Sequence, residues 1–192
     1  MLQQLLPAFR ITLLFTVLTG LIYPLAITGL CQLIFPRQAN GSLITGPNGQ
    51  VIGSSLLGQN FTKPEYFHPR PSNSTYDATN SGGSNFGPTN KKLIDRVKAD
   101  TKAFRRDNPD FTGPIPSDML TASGSGLDPD ISRASADAQL SRVARARGVD
   151  VSKVQDLIAR HTEGRTLGLL GEVRVNVLEL NRALDEESPL KK

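Results

Sequence analysis

A long apolar run near the N-terminus constrains this chain more than any other feature. Residues 11–35 read ITLLFTVLTGLIYPLAITGLCQLIF, and no charged side chain occurs between Arg10 and Arg37. At about 1.5 Å per residue, a helix over this run reaches roughly 37 Å and can cross a hydrocarbon core of about 30 Å. A cleaved signal peptide would have an apolar region of only about 7–15 residues, followed by a small-x-small site. We therefore expect residues 11–35 to form a retained transmembrane helix, with residues 1–10 as a short cytoplasmic N-terminus.

Small and weakly polar residues recur every four positions within this run. They are Thr12, Thr16, Gly20, Pro24 and Thr28. At this spacing they form one inclined stripe, and small residues allow two membrane helices to approach closely. The stripe predicts a docking face for other membrane subunits, although Thr and Gly are also ordinary in membrane helices. Pro24 removes one intrahelical hydrogen bond and is expected to kink the helix.

The charges on either side of the run indicate an orientation. Arg10 and the terminal amine precede it, whereas only Arg37 follows before Lys63. Positive residues favour the cytoplasmic side, so we expect residues 36–192 to form an extracytoplasmic domain. The only cysteine, Cys31, lies inside the apolar run, so the domain itself contains no disulfide.

The domain begins with loops and a hairpin. The segments 42–45 and 50–57 flank Gly-Pro-Asn-Gly, which predicts a β-hairpin. Residues 61–76 concentrate four aromatic rings, three prolines and a histidine, and predict an ordered loop pinned by its rings. Residues 113–123 are expected to be extended.

Helical patterns follow. Leu93, Val97, Thr101 and Phe104 share one face of a helix that ends near Asn108-Pro109. A second helix is predicted over 132–148, with Ser132 as N-cap, Gly148 after its end, and helical spacing of Ala136, Leu140, Val143 and Arg147. A third is predicted over 151–161, with Val151, Val154, Leu157 and Ile158 facing inward. The chain then forms a strand that leads into a helix capped by Asn176. Without a regular βαβ alternation, the fold class is a single N-terminal transmembrane helix plus a soluble α+β domain.

Two Ser-Gly loops, at 81–88 and 121–132, are the strongest candidates for a site. A P-loop would need a Gly-Lys-Ser/Thr ending, which neither has, and Asp128 and Asp130 would repel a phosphate. Ser123 or Ser125 could act as a nucleophile only with His68 or His161, and no Gly-x-Ser-x-Gly elbow is present. The loop therefore predicts a turn into a helix, with no catalytic residue.

Other chemistry has little support in the sequence. The histidines lie far apart and no cysteine lies outside the apolar run, so no metal-ligand cluster is expected. Arg142, Arg145 and Arg147 lie on one predicted helix among acidic residues and without aromatic neighbours, which predicts a solvated face and no nucleic-acid contact.

Short segments along nearly the whole chain carry a family resemblance. They are FP at 35–36, GS at 53–54, LGQNF at 57–61, YFHPRPS at 66–72, SGGSNFGP at 81–88, ASGSGLDP at 122–129, RVA at 142–144, ARG at 146–148, VNVL at 175–178 and LN at 180–181. Their order and spacing resemble the KdpC family, the C chain of the bacterial Kdp potassium-transporting ATPase. Asp130 departs from the family, in which histidine is frequent at this position.

The resemblance implies a non-catalytic accessory subunit in the bacterial plasma membrane, with its domain on the outer side. Its partners would be a channel-like potassium-translocating chain, a P-type ATPase chain and a small membrane subunit. The family is described as needed for assembly and as a catalytic chaperone that raises the ATP affinity of the pump chain. No cofactor would be tightly bound, and an ATP contact is implied only near Gln59 or the Ser-Gly loops.

The expected subunit-contact or loop-supporting residues all lie in the loops that carry the resemblance. They are Gln59, Tyr66, Phe67, Arg70, Ser81, Gly82, Gly83, Ser84, Asn85, Ser123, Gly124, Ser125, Gly126 and Asp128. Two alternatives stay open: an anchored serine hydrolase using Ser123 or Ser125, and an anchored binding module that uses the aromatic-rich loop.

Overall fold

The computed structural model describes residues 2–46 and 48–190, in two compact units. The first unit ends at Ser54 and the second begins at Ser55. The second combines helices with a small sheet, so the α+β fold class predicted from the sequence is confirmed.

The first unit contains the apolar helix. A 3-10 turn at Leu2–Gln4 leads into α1 (Leu5–Val17), a π-helical segment (Leu18–Ile22) and α2 (Tyr23–Ile34). Together α1, the π segment and α2 form 30 helical residues that are long and apolar enough to cross a membrane, and none is buried within the protein. The π segment ends two residues before Pro24. Proline cannot donate a backbone hydrogen bond, so the turn that precedes it must rearrange.

A short helix and a hairpin complete this unit. Helix α3 (Pro36–Ala39) precedes β1 (Leu43–Thr45), which pairs antiparallel with β2 (Val51–Ser54). The predicted hairpin is confirmed, although its second strand ends at Ser54 instead of Leu57. Of the predicted turn residues, Pro47 lies outside the described part of the chain.

The second unit begins with a long loop and then α4. Residues 55–90, all of which the structure describes, form neither helix nor strand, as predicted for 61–76. Asn90 caps α4 (Lys91–Asp107) by accepting a hydrogen bond from the amide of Lys92, and the helix ends at Asn108 as expected. Phe104 is its buried residue.

Three further helices pack around a common core. They are α5 (Arg133–Arg147), α6 (Val151–Arg160) and α7 (Val177–Glu187). The predicted caps are confirmed: Ser132 accepts from the amide of Ser135, Asn176 accepts from that of Glu179, and Gly148 has a left-handed φ of +64°. These three signals therefore identified helix ends correctly.

A three-stranded antiparallel sheet joins the helices. Strand β5 (Arg174–Asn176) lies between β3 (Asp130–Ser132) and β4 (Thr162–Glu163). The expected extended segment 113–123 is wrong in part, because Ser117–Met119 form a 3-10 turn. The Asp118 carboxylate in this turn accepts hydrogen bonds from Ser132 and Ser135, which lie at the start of α5.

The core is formed by apolar side chains of α5, α6, α7 and β5. Val143, Val154, Ile158, Val175 and Leu180 are at most 1% exposed. In α6 the predicted inward positions are correct for Val154, Leu157 and Ile158, but Val151 is exposed because it occupies the first position of the helix.

Candidate functional site

Two buried amide side chains hold the backbone of the aromatic loop, residues 61–76. Asn181 of α7 accepts a hydrogen bond from the Phe67 amide (2.8 Å) and donates one to the Phe67 carbonyl (2.9 Å). Gln139 of α5 does the same for His68, at 2.8 and 3.1 Å. Each amide side chain thus pairs with the N–H and C=O groups of one loop residue, as a neighbouring β-strand would. The Phe67 ring is fully buried. The loop is therefore anchored from inside the domain.

Two arginines of α5 bind the carbonyls just before these positions. Arg142 donates to the carbonyls of Pro64 (2.6 Å) and Tyr66 (2.9 Å). Arg147 donates to the carbonyl of Glu65 at 2.8 Å. Three successive loop carbonyls are therefore satisfied by guanidinium groups, whose planar set of donors suits several acceptors at once.

The burial of these arginines corrects a prediction. Arg142, Arg145 and Arg147 were expected on a solvated face, but Arg142 and Arg147 are only 4% and 6% exposed. Burial lowers the pKa of Arg142 to about 10, so its guanidinium remains charged at neutral pH. Long side chains can bury apolar stems while their charged ends replace water at backbone carbonyls. Arg145 is exposed, as predicted.

Tyr66 joins the loop to α7. Its hydroxyl donates to Asp185 at 3.0 Å, and the Arg147 guanidinium lies 5.0 Å from the centre of its ring. Arg147 also binds Asp185 at 2.8 Å. Burial and the hydrogen bond to Asp185 raise the pKa of Tyr66, which keeps the phenol neutral and able to donate.

In the Ser-Gly loop, defined as residues 123–128, the serine hydroxyls point back to the loop's own backbone. Ser123 Oγ accepts from the amides of Gly126 (3.0 Å) and Asp128 (3.4 Å), and Ser125 Oγ accepts from that of Leu127 (3.1 Å). The two hydroxyls lie 3.2 Å apart. The serines therefore stabilise the turn, as expected for a loop that leads into a helix.

Neighbouring segments bind the carbonyls of this loop. The Ser125 carbonyl accepts from the Gly82 amide (2.8 Å), and the Leu127 carbonyl accepts from the Gly58 amide (2.8 Å). Ser72 donates to the Gly126 carbonyl at 2.6 Å. We call residues 58, 72–74, 81–83 and 123–128 the loop cluster.

Glycines allow this close approach of backbones. A Cβ atom at Gly58 would lie 2.5 Å from the carbonyl oxygen of Asp128, and one at Gly83 would lie 3.0 Å from that of Gly124. Real side chains do not tolerate the first distance and rarely tolerate the second. The sequence therefore needs glycine at these positions for a steric reason.

An ion pair connects the aromatic loop to the loop cluster. Arg70 Nη1 lies 2.6 Å from Asp128 Oδ2, and both side chains are mostly covered. Tyr76 donates to the Arg70 carbonyl, and burial raises the pKa of Tyr76 to about 12. Arg70 and Asp128, both singled out from the sequence, thus support the loops together.

The predicted site residues fall into covered supports and exposed positions. Phe67, Ser123 and Gly126 are buried, and Gln59, Tyr66, Arg70, Gly82, Gly83, Ser84 and Asp128 are half-buried. The exposed ones are Ser81, Asn85, Gly124 and Ser125, together with the helix stripe Thr12, Thr16, Gly20, Pro24 and Thr28. Ser81, Gly124 and Ser125 are therefore the exposed positions of the loop cluster among these predicted residues.

Among the residues that the structure describes, the loop cluster shows no preformed site for a nucleotide phosphate. The amides of residues 126, 127 and 128 already donate to serine hydroxyls, and those of Gly58 and Gly82 donate to carbonyls. The surface cavity of about 500 Å³ beside the cluster is lined by Asp128 and by apolar or hydroxyl residues, without a lysine or arginine. A phosphate would need free amides or a cation there.

The two serines also lack the partner that a hydrolase would need. His68 Nε2 lies 3.0 Å from the Lys63 carbonyl, so this nitrogen carries the proton and donates it to the backbone. Among residues 2–46 and 48–190, no hydrogen bond joins Ser123 or Ser125 to a histidine. Within the same residues no group of three His, Cys, Asp or Glu side chains could hold a metal ion.

His68 gives the domain a specific pH dependence. Burial, then the positive charge of Arg142, lowers its pKa below 6.5, against the weaker opposing effects of the Lys63 carbonyl and Asp107. The unfolded chain therefore takes up the proton first as pH falls, so this contribution is complete above about pH 6.5 and is lost below it.

We expect His68→Gln to remove this part of the pH dependence. Between pH 7 and the lowered pKa, the free energy of unfolding should fall less steeply than in the unchanged protein, by at most about 1.4 kcal/mol per pH unit. Urea denaturation of the detergent-solubilised chain at several pH values measures this slope. His161→Gln, which removes the other histidine of the chain, is measured in parallel. Equal slopes for His68→Gln and the unchanged protein would contradict the prediction.

The sequence analysis missed the residues that hold the site from beneath. They are Gln139 and Asn181, which bind the loop backbone, and Asn108, which accepts a hydrogen bond from Arg142; Arg142 and Arg147 were assigned to the wrong environment. The sequence did contain a signal for them: Gln139 and Arg142 are three positions apart, so they share a helix face with apolar residues of α5. Polar groups on a buried face require partners, and here the partners are loop backbone groups.

Comparison with known proteins agrees with these observations. The family model described as K+-transporting ATPase, C chain (KdpC) matches residues 5–186. The potassium-transporting ATPase KdpC subunit of Caulobacter vibrioides is 56% identical over 191 residues, which cover 98% of this chain and 96% of the relative. Those of Rhodospirillum rubrum (54% over 192 residues, 99% of each) and Koribacter versatilis (53% over 191 residues, 98% and 97%) are similarly related. Since the match extends over both compact units, the chain belongs to the KdpC family of K+-transporting ATPase C chains.

Proposed function

We propose that this chain is a non-catalytic accessory subunit that holds an ATP-driven potassium import complex together. Its partners are a channel-like potassium-translocating chain, a P-type ATPase chain and a small membrane subunit. It is anchored once in the bacterial plasma membrane, and its domain lies on the outer side. The observation that carries the proposal is the family match across both the apolar helix and the loop-rich unit.

The exposed stripe of the apolar helix is the membrane docking face. Gly20 lies in the π segment, and no heavy atom approaches within 4 Å of the position a Cβ would take. Thr12, Thr16 and Thr28 are exposed on the same stripe. A neighbouring helix can therefore approach the backbone closely at Gly20, which is how helices associate in lipid.

The loop cluster acts by contact. Its hydroxyls and amides are occupied in holding its own shape, which favours a rigid binding surface over a reactive site. Ser81, Gly124 and Ser125 are exposed on this surface. Rigid loops lose little conformational entropy on association, so they suit a permanent interface.

Any effect on the ATP affinity of the pump chain is indirect. Because the cavity beside the loop cluster is lined by Asp128 and by no lysine or arginine, we infer that the subunit raises ATP affinity by binding one conformation of the pump chain more tightly than another. A tenfold gain in ATP affinity requires about 1.4 kcal/mol of such coupling. Reciprocity then requires ATP to tighten binding of this subunit by the same factor.

Replacing Gly20 by leucine tests the docking face. Four extra heavy atoms on the stripe should separate the helices, and we expect recovery of the other pump chains to fall at least tenfold. The chain is purified from membranes in mild detergent, and its partners are quantified by mass spectrometry.

Gly29→Leu is the matched control. Gly29 has equal open space but is not a member of the stripe, because it is rotated by about 100° from Thr28, the nearest member. Its substitution should leave recovery within a factor of two. An equal loss of partner recovery in both variants would refute the stripe as the docking face. Failure of the unchanged chain to recover any pump chain would refute the proposed function.

A further inference from the structure

The connection between β4 and β5 ends in a tip of exposed leucines. Leu167, Leu169 and Leu170, which we call the leucine tip, are 87%, 81% and 62% exposed. Clustered apolar side chains at such exposure are uncommon on a surface that only meets water, and they mark interaction sites. The functional site described above does not include them.

The backbone holds the leucine tip in one conformation. Thr166 and Leu170 exchange two hydrogen bonds, of 2.8 and 3.0 Å, and the Gly168 amide donates to the Arg165 carbonyl at 3.0 Å. Leu167 has a left-handed φ of +55°, which is unfavourable for a residue with a side chain. The turn thus presents three leucines in a fixed arrangement, which reduces the entropy cost of binding.

The charges below the tip are paired within the chain. Arg165 binds Glu172 at 3.0 Å. Arg174 binds Glu163 at 2.7 Å and Asp130 at 3.2 Å. A loop that inserts into lipid would carry unneutralised basic residues or aromatic rings at its base, and residues 164–173 contain no aromatic ring and one already paired arginine. An apolar tip surrounded by paired charges has the composition of a protein–protein contact.

The area of the tip identifies the kind of partner. Three leucines can bury on the order of 300 Å², well under the roughly 800 Å² per partner that a stable interface buries. The tip alone therefore cannot hold a second copy of this chain. It can contribute to a larger interface with a protein that is already tethered to this chain.

We propose that the leucine tip inserts into an apolar recess on another protein chain of the potassium-transporting ATPase complex. This inference rests on the proposed function, which supplies the tethered partner. The paired charges around the tip meet a polar rim on that partner, and burial of the three leucines contributes to the lifetime of the assembly.

Photo-crosslinking in the intact complex tests the partner. The photoreactive amino acid p-benzoylphenylalanine replaces Leu169 in the full chain, and the complex is irradiated in native membranes. We expect a covalent product with another pump chain, identified by mass spectrometry. The same amino acid at Val151, an exposed apolar position outside the tip, is the control and should give at least fivefold less of that product.

Any crosslinking result other than a product with another pump chain contradicts the inference. Crosslinking at position 169 to lipid alone, to a second copy of this chain, or to nothing while the complex is intact would overturn it. Such a result leaves the proposed function standing, because the complex is still recovered. Absence of any other pump chain from the preparation would overturn the proposed function itself.

Leu169→Glu supplies an independent measurement. Because the side chain is exposed, the isolated variant should fold with an unchanged denaturation midpoint. The half-life of the purified complex in detergent should shorten at least tenfold, since a carboxylate would enter an apolar recess. Val151→Glu should leave that half-life within a factor of two, and equal half-lives for Leu169→Glu and the unchanged chain would refute the contact.

Discussion

Replacing Arg142 by alanine is expected to lower the free energy of unfolding of the soluble domain by about 3–5 kcal/mol, since each buried acceptor left without a donor costs about 1–3 kcal/mol. The guanidinium is buried and donates to the carbonyls of Pro64 and Tyr66 and to the side chains of Asn108 and Gln139. Alanine leaves these four acceptors without this donor and creates a cavity. The loss is a large part of the about 5–15 kcal/mol typical of a domain.

Arg145→Ala is the matched control for this effect. Arg145 lies on the same helix, but it is exposed, and its guanidinium forms an ion pair with Asp110. An exposed ion pair contributes about 0–1 kcal/mol, so this variant should be close to the unchanged protein. Urea denaturation of both detergent-solubilised variants, followed by circular dichroism, gives the comparison. A difference of less than about 1 kcal/mol between the two variants would contradict the stabilising role of the buried Arg142 guanidinium.

The second large effect is expected at Gly126. Its φ is +73°, and an added Cβ would overlap Ser74 Oγ and lie 3.1 Å from the Gly82 carbonyl oxygen. A left-handed conformation costs a non-glycine residue about 1–2 kcal/mol, and the overlap must also displace a hydroxyl that binds the Gly126 carbonyl. We expect Gly126→Ala to lower the free energy of unfolding by about 2–4 kcal/mol.

Gly124→Ala tests the same loop without the strain. No atom lies within 4 Å of a Cβ built at Gly124, and its φ is outside the left-handed region. This variant should change the free energy of unfolding by less than about 0.5 kcal/mol, as for most surface substitutions. Denaturation midpoints of the two alanine variants should therefore differ clearly. Equal midpoints would contradict the packing of the loop cluster, while loss of complex recovery with Gly124→Ala alone would support the exposed Gly124 as a contact.

Local signals predicted several helix ends well. The caps at Ser132 and Asn176 and the stop at Gly148 depend on hydrogen bonds or φ angles within a few residues. Such interactions can be inferred from the neighbouring sequence alone. The apolar run likewise determines its own helix, because every backbone group in lipid must be satisfied within the segment.

The environment of polar side chains could not be predicted in this way. The amide side chain of Asn181 binds the backbone 114 residues away, and that of Gln139 binds it 71 residues away. Arg142 was assigned to a solvated face for the same reason, since helical spacing does not show which loop will cover a helix. The exposed leucine tip was also missed, because a leucine is more often buried than exposed.

The sequence by itself therefore determined the membrane helix, the capped helices and membership of the KdpC family, since these depend on residue order and short-range chemistry. Only the tertiary structure decided that Arg142 and Arg147 are buried supports, that the Ser-Gly hydroxyls are occupied by their own backbone, and that the leucines at 167–170 remain uncovered. The physical reason is that burial and hydrogen-bond partnership depend on segments far apart in the chain, and these meet only when the core has formed.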